Sequence, residues 1–178
     1  EAFQYILDNY YRLAWDRKPE FMGYEMEWDT PEYARLYDPD FSFETGTAQK
    51  RLVDYQNICF AYDAIEQALA PEQRPALFEM LGYAVHSAYQ MNRKFLYAQA
   101  NHETGNVLYA EQCRDANRQI NLLLERYNTQ LGGKWNQMMS EVTHGYTALY
   151  HQMPKLTNRP TTAYRLPDNQ RHPEFEHQ

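Results

Sequence analysis

TAQKRLVDYQNICFAYDAIEQALA, residues 47–70, decides the fold. Leu52, Tyr55, Cys59, Tyr62, Ile65 and Leu69 recur at steps of three and four, the spacing that puts side chains on one face of an α-helix. A strand would alternate every second residue, and this stretch does not. Together those residues trace an apolar seam along the helix. Pro71 ends it, because proline cannot supply the next helical N–H.

Working outward, the same pattern appears three more times. A helix from Glu72 or Pro75 to His102 carries Leu77, Leu81, Ala84, Val85, Ala88, Met91, Phe95 and Ala98 on one side, and Gly105 stops it. A further helix from Asn106 to Gln130 carries Tyr109, Cys113, Ala116, Ile120, Leu123, Leu124 and Tyr127. At the front, Phe3, Ile6, Tyr10 and Leu13 trace a shorter seam that should close near Lys18, ahead of Pro19. The connections at 70–72 and 104–106 are too short for anything but a reversal, so neighbouring helices run antiparallel. At 1.5 Å per residue the three long helices each reach roughly 35–45 Å. The expectation is an all-α, up-down antiparallel bundle of four to five helices with an irregular C-terminal strap. Between the first two helices, residues 20–45 lose periodicity, apart from a short helix expected from Pro31 to Tyr37 with Thr30 as its cap.

Beyond the bundle, Gly132-Gly133-Lys134-Trp135-Asn136-Gln137-Met138-Met139 departs from helix filler. The glycine pair turns the chain, and a new short helix is expected from Lys134 or Trp135. On such a helix Trp135, Met138 and Met139 would share a side and form an apolar docking patch, onto the bundle or onto something outside it. Lys134, Asn136 and His144 could reach an anionic group if the corner borders a cleft, although Lys134 and Asn136 suit the helix start and the turn equally. A brief helical piece should run to His151. From Gln152 to Gln178 the chain is polar and carries Pro154, Pro160, Pro167 and Pro173. That division gives a bundle domain over 1–151 and an extended or disordered tail over 152–178.

Composition narrows the function. A net charge of −7 from 17 basic and 24 acidic residues leaves no basic face for nucleic acid. No apolar run reaches the length of a membrane span. Cys59 and Cys113 both fall on seam positions and read as small buried hydrophobes. Glu25, Glu27 and Asp29 flank Met26 and Trp28, but residues two apart share a face only in extended chain, and no opposing carboxylate is evident; glycoside hydrolysis needs such a pair. Glu141 and His144, one turn apart, supply half of a carboxylate-bundle metal motif. Glu174 and His177 repeat the spacing in the tail, while His86 and His102 have no acid on their own face. The expectation is no metal, no cofactor and no catalytic residue in this chain, with His144 a hydrogen-bonded structural or interface histidine. No nucleophile elbow, phosphate loop or zinc spacing is present.

Two runs carry a family resemblance. Gly132 to Met139, followed by Thr143-His144-Gly145-Tyr146-Thr147, resembles the signature that closes the helical domain of glycoside hydrolase family 115, the xylan α-1,2-glucuronidases; Gln137 stands where that pattern has His. Tyr10-Tyr11-Arg12-Leu13-Ala14 and Arg17-Lys18-Pro19-Glu20-Phe21-Met22-Gly23 resemble the run that opens it. The resemblance implies a piece of a longer, secreted or periplasmic hydrolase that removes (4-O-methyl)glucuronic acid from xylan. A separate barrel would do the chemistry, and this chain would be a helical accessory domain with that barrel as partner and a homodimer contact as a further expectation. Lys134, Trp135, Asn136, Met138, Met139, His144 and Tyr146 are the docking or cleft-facing candidates. The other reading is a free-standing interaction module that binds a partner through Trp135, Met138 and Met139.

Overall fold

The computed structural model describes residues 1–19, 22, 40–139, 153, 154, 156 and 157. Among them the secondary structure is helical throughout, with no strand, and four helices make up the fold. Helix α1 is Ala2–Asp16 and α2 is Thr47–Ala68. Helix α3 is one continuous rod of three parts: the α-helical turn Arg74–Leu77, a π-helical turn Phe78–Gly82, and the α-helix Tyr83–Thr104. Helix α4 is Val107–Gly133. The short helix expected at Pro31–Tyr37 and the helical piece expected up to His151 lie outside the described residues.

Helix ends follow the local chemistry. Gly46 precedes α2 at φ 80° and Gly105 follows α3 at φ 71°, a left-handed conformation that costs a residue with a Cβ about 1 kcal/mol or more. Asn106 caps α4, its side-chain oxygen accepting the Leu108 N–H at 2.9 Å.

Cross-helix pairs set the directions. The early part of α2 meets the late part of α1 through Arg12 and Asp54, and it meets the later part of α3 through Arg51 and Asn92. The late part of α2 meets the early part of α3 through Asp63 and His86. Each helix therefore runs antiparallel to its predecessor. Packing follows chain order, α1 on α2, α2 on α3, and α3 on α4, the last interface being the largest.

Two apolar clusters fill the interior. One joins Ile6 and Leu13 of α1 to Tyr55, Ile58, Cys59 and Tyr62 of α2, Phe78, Leu81, Val85 and Ala88 of α3, and Tyr127 of α4. The other gathers Met22, Ala48, Leu52, Met91, Phe95, Leu96 and Ile120. Phe3 and Ala84, placed on seams by spacing alone, are exposed. In the π turn just before Ala84, Phe78, Leu81 and Gly82 are buried.

Polar side chains also enter the core. Arg51 is buried and ties three elements: Nε donates to Asn92 Oδ1 at 2.6 Å, and the guanidinium reaches the Leu13 and Arg17 carbonyls at 3.1 and 2.6 Å. The Leu13 carbonyl also accepts the Arg17 N–H at 3.2 Å, and Arg17 is the residue that ends α1, so Arg51 adds donors to that helix end from its neighbour.

Candidate functional site

Near its end α4 gives way to a corner. Gln130 turns to ψ 160°, and Leu131, Gly132 and Gly133 follow at φ 52°, 67° and 77°, three left-handed residues in succession. The two glycines take this conformation without strain, whereas Leu131 pays for its Cβ. Gln130 Nε2 donates to Glu79 Oε1 at 3.1 Å, pinning the break against the π turn of α3.

From Lys134 to Met139 the chain forms turns where a short helix was expected. Gln137 stands at φ 68°, which no right-handed helix allows, and its N–H is taken by Asn128 Oδ1 at 3.0 Å. Asn136 N–H bonds to the Gly133 carbonyl at 3.0 Å and Met138 N–H to that of Trp135 at 3.1 Å, both one-turn closures. Trp135, Met138 and Met139 consequently do not form one face. Trp135 is half-buried against the cluster that holds Ile6 and Tyr127, with the Lys134 ammonium 4.8 Å from its ring centre. Met138 is 63% exposed, Met139 41% and Leu131 50%, so the apolar surface of the corner is made by these three. Asn136 and Lys134 are exposed beside them. His144 and Tyr146, with Glu141, lie outside the described residues, as do Glu25, Glu27 and Asp29 and the pair Glu174 and His177.

Elsewhere the titratable groups serve packing. Burial raises the Tyr62 hydroxyl above its ordinary range, and that hydroxyl donates to Glu66 Oε1 at 2.9 Å. Glu66 in turn pairs with Arg126, whose guanidinium lies 3.8 Å from the centre of the Phe78 ring. His86 Nε2 is 3.1 Å from Asp63 Oδ1, a cross-helix contact. Sequence spacing missed both, since each joins residues 23 or more positions apart. Cys59 and Cys113 are free and buried. Burial pushes both thiols up to about 12, aided at Cys59 by the nearby Asp63 carboxylate, so neither is a thiolate nucleophile at neutral pH. Among the described residues no three His, Cys, Asp or Glu side chains converge, and no helix is long and apolar enough to cross a membrane.

Comparison with known proteins gives one informative match. No family model matches the chain, and no curated protein sequence does. Among solved structures the chain is similar to a family GH115 4-O-methyl-α-glucuronidase with specificity for decorated arabinogalactans, at 31% sequence identity and a TM-score of 0.68. The match takes in 93% of this chain and 22% of that one, so the chain spans about a fifth of that protein's length. The four helices of the described residues and this alignment agree with the resemblance read from the two end motifs: the chain is a GH115-like helical domain.

Proposed function

We propose that this chain is a helical accessory domain of a longer protein resembling a (4-O-methyl)-α-glucuronidase, that it buttresses the catalytic barrel of that protein, and that it holds no complete active site. One observation carries the reading: nearly the whole of this chain aligns with a fifth of a GH115 enzyme, which leaves most of that enzyme's length for other domains. The described part of the chain is consistent with a supporting role. Its carboxylates Asp54, Glu66 and Asp115 are each engaged by Arg or Lys side chains.

The exposed surface of Leu131, Met138 and Met139 is where we place the barrel, with Lys134 and Asn136 at its rim. Fully burying a methionine or leucine contributes roughly 1.5–3 kcal/mol, enough for three residues to anchor one domain on another. The sugar removed is (4-O-methyl)glucuronic acid in this reading. The polymer that bears it is xylan by the family resemblance and arabinogalactan by the specificity of the matched enzyme. Export from the cytoplasm goes with either polymer.

Release of uronic acid from glucuronoxylan and from decorated arabinogalactan tests the proposal. The purified chain should release none from either, whereas the longer protein that contains it should act on at least one. Turnover by the purified chain, lost on replacing one of its own carboxylates, would sink the accessory reading.

A further inference from the structure

Asn101 stands one turn before the end of α3 and is wholly buried. Its side chain is a primary amide, with the same donor and acceptor as a peptide unit, and it is committed to the backbone of a residue 56 positions away. Oδ1 accepts the Thr157 N–H at 2.8 Å while Nδ2 donates to the Thr157 carbonyl at 3.2 Å. Thr157 answers with its hydroxyl, which donates to the Asn101 carbonyl at 3.2 Å. Nδ2 also reaches the Asn106 carbonyl at 2.9 Å, and the Gly105 N–H reaches the Asn101 carbonyl at 2.7 Å, so the same residue holds the α3–α4 reversal.

The neighbourhood of Thr157 is docked as well. Pro154 is buried and Leu156 half-buried. Met153, Pro154 and Leu156 border an open cavity of about 470 Å³ whose other wall is Arg114 and Asn117 of α4. A buried amide deprived of its partners is penalised more than a hydrogen bond is worth, which gives the contact a built-in preference for the closed state.

We infer that Asn101 is a latch: it reads the backbone of Thr157 and, with Met153, Pro154 and Leu156 against α4, straps the chain there across α3 and α4. Recognition through N–H and C=O selects chain conformation more than side-chain identity, with the Thr157 hydroxyl adding a third point. The latch stands whether or not the chain serves as an accessory domain.

Amide hydrogen exchange by NMR on the full chain tests it, with Thr157 as reporter and Cys113, buried in α4, as reference. Three hydrogen bonds between the two residues should slow Thr157 exchange at least about tenfold relative to an unstructured peptide. Asn101→Leu should abolish that protection and leave Cys113 within about twofold of its original rate. Thr157→Val, which removes only the hydroxyl, should speed exchange at residue 157 a few-fold; it decides the matter alone if Asn101→Leu does not fold. Unprotected Thr157 in the original chain, exchange unchanged in Thr157→Val, or an equal rise at Cys113 in Asn101→Leu would each overturn the latch.

Discussion

Gly82 leaves no room for a side chain, because a Cβ built there would run into the ring of Tyr62 from α2. Tyr62 is itself fully buried and tied through its hydroxyl to Glu66, so it has nowhere to retreat. Gly82→Ala should therefore lower stability by about 1–3 kcal/mol, the usual cost of overpacking a core. Elsewhere in a helix the same change would stabilise by roughly 0.5–1 kcal/mol. Urea denaturation separates the two effects: with Tyr62→Leu in place, the added methyl should be neutral or favourable. A penalty of the same size in both backgrounds would show that Tyr62 is not what Gly82 accommodates. The residue scale also holds the main buried polar groups, Arg51, Asn92 and Asn101, each chosen by a partner remote in sequence. No pattern of spacing announces them.

Between helices, ion pairs join neighbours in the array: Arg12 with Asp54 across α1 and α2, and Arg93 with Asp115 across α3 and α4, at 3.3 and 3.1 Å. Burial works to raise both carboxylates, but hydrogen bonds outweigh it, from Lys50 and Arg12 at Asp54 and from Gln119, Arg93 and Arg118 at Asp115; both lie below the ordinary range. A depressed folded value means stability that is present above the unfolded value of about 3.9 and lost as pH falls through the lower folded values. The urea midpoint of the wild type should drop below about pH 4, and the gap to Asp54→Asn/Asp115→Asn should shrink over that range. A gap that stays constant from pH 6 to pH 3 would contradict the assignment. Helix existence was legible because each seam is a long periodic run closed by Pro71, Gly105 or the glycine pair. The π turn was not, since Leu77 and Phe78 are both apolar and their spacing does not mark where the extra residue enters. The corner was half legible: two glycines foretold the break, but the left-handed Gln137, held by Asn128, converts the expected helix into turns. Of the candidates there, Trp135 turned inward, Met138 and Met139 outward, and His144 and Tyr146 fall beyond the described residues.

At the scale of the whole molecule, the described residues make an ordered row of four helices with its apolar interior divided in two and an exposed, strained corner at the far end of α4. Strain in left-handed Leu131 and Gln137 costs on the order of 1–2 kcal/mol each and is maintained by the contacts of Gln130 and Asn128. If that corner docks on another domain, as proposed, it matters more to the longer protein than to the isolated chain. The most direct measurement is the paired effect of Met138→Glu with Met139→Glu. Both residues are exposed here, so the melting temperature of the isolated chain should move by no more than about 2 °C. In the longer protein the two carboxylates would be forced into an apolar contact, and uronic acid release or thermal tolerance should fall about tenfold or more, equivalent to about 1.4 kcal/mol. An isolated chain that unfolds, together with a longer protein whose activity and stability are untouched, would contradict the account.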